Sequence, residues 1–236
     1  MFSRRLFAGL LLGVMLAGCA APQVPQATLI PTPQVWRVSY SSELGWLLPA
    51  MGDCMPPGAG LAVNETQTLD PTADVILHWG DIDPQGRAAY EIGRDSLTVI
   101  VHPENPLSDL TASQLRDVYG GGIRDWSELD GRMSGGVQAW AYPDGLAVES
   151  LFASSLTGDS LGESVFLAPD VPAMLTAVGD DPLAIGFVPA QWLLEGVKTI
   201  PVSGWAPGDE PVLMLIMGEI PVDLQDWSGC LMELIH

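Results

Sequence analysis

The sequence predicts an α/β fold with mainly parallel sheets, and two patterns carry that prediction. Short apolar runs closed by Gly, Asp or Pro, such as "ADVILHWGD" (73–81) and "DSLTVIVHP" (95–103), are typical of buried parallel strands. Between such runs lie segments whose apolar residues recur at helical spacing. Alternation of strands and helices along one chain is typical of α/β proteins.

The other elements follow in order. "VWRVSY" (35–40) predicts a strand, and "SSELGWLLPAM" (41–51) predicts a short helix that Pro49 ends or kinks. "LTASQLRDVYGGG" (110–122) predicts the clearest helix, because Thr111 and Gln114 form a capping box and glycines follow. Trp126 is the expected buried anchor of the next turn. The later elements are a strand at 136–142, a helix from near Gly145, a helix at 170–181 capped by Asp170, strands at 182–189 and 211–217, and a helix at 223–235.

The N-terminus resembles a lipoprotein leader. Arg4 and Arg5 precede an apolar run at 6–17, which is shorter than the ~20 residues that span a bilayer but typical of a secretory signal peptide. "LAGC" (16–19) resembles the bacterial lipoprotein box. It implies that residues 1–18 are removed and that lipidated Cys19 anchors the chain to the extracytoplasmic face of the cell membrane. A simple signal peptide or a short anchor helix is the alternative. Residues 19–34, rich in Pro and Gln, predict an extended tether.

Charge excludes one class of partner. The formal net charge is −20, and removal of the two leader arginines leaves 7 basic against 29 acidic residues, or −22. A surface of this sign repels phosphate backbones and anionic lipid. We therefore expect no nucleic-acid partner.

Cysteine and histidine placement predicts no metal site. In an oxidising compartment, Cys54 and Cys230 form a disulfide or are two separately buried thiols. The three histidines are scattered, and no Cys-x-x-Cys spacing occurs. No Gly-x-Ser-x-Gly elbow, His–Glu metal motif or phosphate-cradling loop is present either. The sequence thus predicts no catalytic residue, no cofactor and no enzymatic activity.

One long segment resembles the phosphate-type substrate-binding proteins of ABC transporters. That family has a strand ending in a VxxNPxNP-like turn, an L-T-x-x-Q-L helix and a G-x-I-x-x-W turn, and this chain has "VIVHPENP", "LTASQL" and "GGIRDW" in the same order. "DPLAIGFVP" (181–189) is similar to the family's G-A-I-G-Y-V strand. The resemblance covers most of residues 35 to 200.

This resemblance implies a two-lobed, type II periplasmic-binding-protein-like fold. Two α/β lobes, joined by two crossover strands, would hold a small-molecule or anionic ligand in the cleft, where helix N-termini favour an anion. Lobe 1 would comprise residues 35–97 plus 200–236, and lobe 2 residues 98–199. The implied partner is an ABC transporter permease.

On lobe 1 the resemblance places ligand-binding residues at two turns. Ser41 and Ser42 either offer hydroxyl and backbone N–H groups to an anion, or one of them only caps the first helix. Trp79, Gly80 and Asp81 follow the next strand and are expected to face the cleft. Asp81 either accepts a proton from the ligand or is a surface carboxylate.

On lobe 2 the match to the family pattern R-x-x-G-S-G-T-R-x-x-F breaks down at "YPDGLAVESLF" (142–152). Gly145 and Phe152 align. The family's arginines, hydroxyl residues and second glycine are replaced here by Tyr142, Leu146, Ala147, Val148 and Glu149. Hydrogen bonds to charged groups are worth ~1.5–3 kcal/mol each, so we expect tight phosphate binding to be lost.

Two functions remain open. The first is a membrane-tethered solute-binding lipoprotein with a diverged anion site, in which Tyr142, Gly145 and Leu146 contact the ligand. Its apolar rim, formed by Tyr142, Leu146 and Val148 opposite Trp79, would favour an organic ligand. The alternative is a ligand-free interaction or sensory protein on the same fold.

Overall fold

The computed structural model describes residues 34–156, 161–162, 165–192 and 195–235. These residues all belong to one compact unit, Pro33–His236. The predicted signal peptide, the lipidation residue Cys19 and nearly all of the tether lie outside the described residues. Among the described helices, none is both long and apolar enough to span a bilayer.

The first sheet takes strands from both ends of the described chain. Its strands are β1 (Val35–Tyr40), β2 (Gly60–Glu65), β3 (Val75–Trp79), β4 (Ala88–Asp95) and β12 (Glu210–Ile216), in the order β2-β1-β3-β12-β4. Strand β1 runs parallel to β2 and β3, whereas β12 runs antiparallel to β3 and β4. The parallel strands β1 and β3 therefore end at the same edge.

The second sheet comes from the intervening chain. Its strands are β5 (Leu97–Val101), β7 (Gln138–Ala141), β8 (Phe166–Leu167), β9 (Ala184–Pro189) and β10 (Lys198–Ile200), in the order β10-β5-β9-β7-β8. Strand β7 is parallel to β8 and β9, and β5 is antiparallel to β9 and β10. A short parallel pair joins β6 (Leu110–Thr111) to β11 (Val202–Ser203).

The predicted α/β class is confirmed, and both sheets are mixed. The parallel pairs β2-β1-β3 and β9-β7-β8 form one side of each sheet, and antiparallel pairs that include β12 or β5 form the other. The division into lobes at 97/98 and 199/200 stays a prediction.

The helices agree with most of the sequence predictions. They are 3₁₀ segments at Ser42–Leu47 and Trp126–Glu128, and helices α1 (Leu48–Asp53), α2 (Ala112–Tyr119), α3 (Ala147–Leu156), α4 (Val171–Asp180) and α5 (Val222–Ile235). Pro49 does not end the first helical stretch. It stands in the first turn of α1, where a missing N–H costs no helical hydrogen bond.

Two predicted caps are confirmed. Thr111 Oγ1 accepts the N–H of Gln114 at 3.2 Å, and Gln114 Oε1 accepts the N–H of Thr111 at 2.9 Å. The Asp170 carboxylate accepts the N–H of Ala173 at 2.8 Å and starts α4. Caps of this kind are typically worth ~1 kcal/mol each, so these two helix starts are fixed locally.

Buried tryptophans anchor the core. Trp126, as predicted, is fully buried, and its indole N–H donates to Leu183 O at 2.9 Å. Trp227 of α5 is also fully buried and donates to Met51 O at 2.9 Å. Because an indole N–H buried without a partner is costly, these bonds let large apolar rings fill the interior.

A disulfide joins the first helical region to the last. Cys54, directly after α1, is bonded to Cys230 of α5, and their Cα atoms lie 5.8 Å apart. The two cysteines are 176 residues apart in the sequence. The bond therefore ties the beginning of the folded chain to its end.

Candidate functional site

A groove of about 480 Å³ lies where the end of β3 and the start of β12 face α3. Its lining residues are Trp79, Gly80, Asp81, Ala147, Ser150, Leu151, Ser154 and Glu210. In open α/β sheets, ligands bind outside the carboxyl ends of parallel strands. Trp79 is the last residue of β3, so this groove occupies such a position.

Gly80 lies between Glu210 and α3 in the groove. Its φ of +86° is in the left-handed region that glycine adopts without strain. A Cβ atom at this position would lie 3.5 Å from Glu210 Oε2 and 3.7 Å from the Cβ of Ala147. The first sheet and α3 thus approach each other across a residue that has no side chain.

The groove is negatively charged. Asp81 is exposed and Glu210 is half-buried, and the lining includes no Arg, Lys or His. The ion pairs found among the described residues are Arg37–Asp74, Arg94–Glu91 and Arg132–Asp130, and none of them includes a lining residue. Two hydroxyls, those of Ser150 and Ser154, lie on the opposite wall.

Ser41 and Ser42 lie behind the groove, with 3% and 4% of their surfaces exposed. Ser41 Oγ accepts the N–H of Trp79 at 3.1 Å, and Ser42 Oγ accepts from Gln67 Nε2 at 2.7 Å. Ser41 occupies the N-cap position of the 3₁₀ segment, but its side chain makes no capping bond. Both hydroxyls therefore take part in the protein's own hydrogen bonds, and Ser41 ties the ends of β1 and β3 together.

Glu43 is fully buried next to these serines. One carboxylate oxygen, Oε2, lies 3.4 Å from Ser42 Oγ, and the other, Oε1, has no hydrogen-bond partner. The Glu43 carbonyl accepts the indole N–H of Trp192, which follows β9, at 2.7 Å. The Trp192 ring packs over Gly45, where a Cβ would lie only 2.9 Å from it. This contact joins the segment between β9 and β10 to the first helical stretch.

Tyr142 and Leu146 lie in the core instead of at the groove. They are 2% and 7% exposed, and Val148 is fully buried. The Tyr142 hydroxyl donates to Phe187 O at 3.0 Å, and the Phe187 ring stacks on Phe152 with centroids 3.6 Å apart. The predicted apolar rim is therefore wrong: Tyr142 packs edge-on against Phe187, and Leu146 and Val148 are part of the hydrophobic core.

The opposite face of α3 lines the groove, and the sequence analysis missed it. The groove-facing residues are Ala147, Ser150, Leu151 and Ser154. Their spacing of three, four and seven residues places them on one helix face. Gly145 has a φ of +99° and allows the turn into α3. Gly145 therefore acts through its backbone conformation, and it is not among the residues that line the groove.

Glu149 fixes the turn before α3. Its Oε2 accepts the N–H of Tyr142 at 3.1 Å, and only 7% of the residue is exposed. Burial raises the pKa of the Glu149 carboxyl to about 7, and the nearby charge of Asp144 adds to the rise. Glu149 and Asp144 line a second cavity of about 360 Å³ at the end of β7.

Asp95 lies where the chain crosses from the first sheet to the second. Its Oδ1 accepts the N–H groups of Ser96 at 2.8 Å and Gln191 at 3.2 Å. The residue is 4% exposed, and burial raises the pKa of its carboxyl to about 6. This carboxyl holds the crossover and the residues after β9 together.

Within the described part of the chain, no group of three His, Cys, Asp or Glu residues is placed to hold a metal ion. The groove offers two carboxylates, two hydroxyls and a short apolar surface.

Comparison with known proteins gives the family. A family model described as the PBP superfamily domain matches residues 81–200, about half of the chain. No curated protein sequence matches the chain.

Solved structures with the same fold cover most of the chain. A protein from Clostridium perfringens, described as a phosphate ABC transporter substrate-binding protein with bound phosphate, is 18% identical with a TM-score of 0.72. That match covers 84% of this chain and 92% of the other. An ABC-type phosphate transport receptor from Vibrio cholerae is 16% identical with a TM-score of 0.57, covering 84% and 93%. The reduced OxyR regulatory domain from Pseudomonas aeruginosa is 11% identical with a TM-score of 0.64, covering 86% and 98%.

At these identities the structural matches show that the fold is shared, and the family model shows that the chain is a member of the family. The resemblance read from the motifs at 92–131 and 181–189 is confirmed. The chain belongs to the PBP superfamily and has the fold of phosphate-type substrate-binding proteins.

Proposed function

We propose that this chain is an extracytoplasmic solute-binding lipoprotein of the phosphate-binding type, whose anion site has diverged. Lipidated Cys19 would hold it at the cell membrane, and residues 19–34 would tether two lobes with the boundaries given above. It would deliver a small molecule to an ABC transporter permease.

The observation that carries the proposal is the groove between the Trp79–Asp81 turn and α3. It lies at the carboxyl ends of parallel strands in a chain of the PBP superfamily. The phosphate-binding proteins that share the fold are binding components, which fits the predicted lack of enzymatic activity.

The groove's charge supports divergence from phosphate. Asp81 and Glu210 would repel an anion, and two unit charges 4 Å apart interact by ~4 kcal/mol at an effective dielectric of 20. The serine hydroxyls that the family pattern would offer are already used within the protein. Phosphate would thus meet like charge in the groove, and the serines behind it would have to give up bonds they already make.

A solute screen by thermal unfolding tests the proposal. A ligand present at 100 times its Kd adds about 2.7 kcal/mol to the free energy of unfolding. We expect at least one solute to raise the melting temperature of the mature chain. The replacement Ser150→Trp, which fills the groove, should abolish that rise, whereas Glu104→Gln on an exposed surface should not. A library that leaves the melting temperature unchanged would refute the proposal.

One observation favours the alternative, a ligand-free interaction or sensory protein. Ser41, Ser42, Tyr142 and Leu146 are all buried, and an OxyR regulatory domain shares the fold. Under this alternative no solute shifts the melting temperature. The Ser150→Trp variant then supports the same cellular phenotype as the original protein.

A further inference from the structure

We infer that the ligand of the groove is a small organic cation, a primary amine on a short apolar stem. This inference rests on the proposed function and names the class of ligand for the same groove. It follows from the chemical character of the two walls.

The first wall offers two carboxylates to a positive charge. Asp81 follows Gly80 directly, and Glu210 Oε2 lies 3.5 Å from the point where a Gly80 Cβ would stand. Neither carboxylate forms an ion pair with any residue in the described part of the chain. An ammonium group has three N–H donors and no acceptor, so it matches a surface of carboxylate oxygens.

The second wall suits the rest of such a molecule. Ala147 and Leu151 offer an apolar strip, and the Ser150 hydroxyl on the same helix face can accept a third N–H bond. The groove volume of about 480 Å³ is within the range of small-molecule sites, ~300–1,000 Å³. A compact head group with a few methylenes therefore fits better than a large polar ion.

Two other ligand classes fit worse. An anion would face Asp81 and Glu210 with no basic residue in the lining. A Ca²⁺ ion needs six or more oxygen ligands, and among the described residues no three His, Cys, Asp or Glu side chains are placed to hold a metal ion. The formal net charge of −20 also raises the local concentration of cations around the protein.

Three probes with the same stem and different head groups test the inference: butylamine, butyrate and butanol, each titrated by calorimetry into the mature chain at pH 7.5. We expect butylamine to bind at least tenfold more tightly than butyrate or butanol. Raising the ionic strength should weaken butylamine binding, because Asp81 is exposed.

Matched variants locate the binding. Asp81→Asn with Glu210→Gln should weaken butylamine about tenfold or more, because charge-assisted hydrogen bonds become neutral ones. Asp83→Asn, an exposed carboxylate two residues along the same loop, should leave the affinity unchanged. Each single variant, Asp81→Asn and Glu210→Gln, provides a check if the double variant fails to fold.

The outcomes distinguish a failure of the cation inference from a failure of the proposed solute-binding function. Tighter binding of butyrate, equal binding of all three probes, or butylamine binding that survives the double variant would overturn the cation inference. If Ser150→Trp still abolishes binding of some other solute, the proposed function stands. No binding by the three probes or by any library solute would overturn both.

Discussion

Replacing Glu149 with Gln should change the pH dependence of stability. In the folded chain, burial raises the pKa of the Glu149 carboxyl from 4.5 to about 7. A carboxyl with a raised pKa holds its proton to higher pH when folded than when unfolded. The folded state is therefore penalised as pH rises from 4.5 through 7, and the penalty is constant above that range.

The size of this effect follows from the shift. About 2.5 pKa units at 1.36 kcal/mol per unit gives a penalty of roughly 3 kcal/mol above pH 8. Gln keeps an oxygen that can accept the Tyr142 N–H, which Glu149 Oε2 now accepts at 3.1 Å. The bond from the Tyr142 N–H already lowers the pKa of the carboxyl, so its contribution is included in the net shift. We expect Glu149→Gln to be ~3 kcal/mol more stable than the original chain at pH 8.5.

Urea unfolding of both chains at pH 5 and pH 8.5 measures this difference. At pH 5 the gain should largely vanish, because the buried carboxyl is protonated and close to Gln in charge. Glu104→Gln on the exposed surface is the control and should show no such pH-dependent gain. Equal changes in unfolding free energy at the two pH values would show that Glu149 is not the titrating group.

Three further predictions follow from other parts of the chain. Cys19→Ser should move the protein from the membrane fraction to the soluble fraction, and continued membrane association would count against the lipid anchor. Cys54→Ser with Cys230→Ser should lower the free energy of unfolding by up to ~5 kcal/mol, the chain-entropy value for a loop of 176 residues, and an unchanged urea midpoint would contradict this. Calorimetry with inorganic phosphate at neutral pH should give a millimolar or weaker Kd, since the groove lining is acidic and has no cation, and a micromolar Kd would refute it.

Local signals were enough to predict much of the fold. The caps at Thr111 and Asp170, the buried Trp126 and the apolar strands β3, β5 and β9 each depend on residues close together in the sequence. Strands β2 and β4 were missed because they alternate weakly and carry exposed or half-buried residues along most of their length. Their position is set by pairing with β1 and β12, which a local pattern does not reveal.

The site was harder to predict, for two physical reasons. The family pattern identified the turn before α3, but Leu146 and Val148 are apolar and buried there, and the groove is lined by the other face of α3. Glu210 belongs to β12, far along the chain, and reaches Gly80 only through the pairing of β12 with β3. Such long-range placement depends on sheet order, which motifs do not give.

The Cys54–Cys230 bond has a consequence for proteolysis. All strands of the second sheet lie between these two cysteines in the sequence, in residues 97–200. A single protease cut anywhere in that sheet would divide the polypeptide into two fragments, each of which keeps one of the cysteines. The fragments would migrate as one band on a gel run without reductant and as two bands once the bond is reduced. A nicked chain would thus remain in one piece until the bond is reduced.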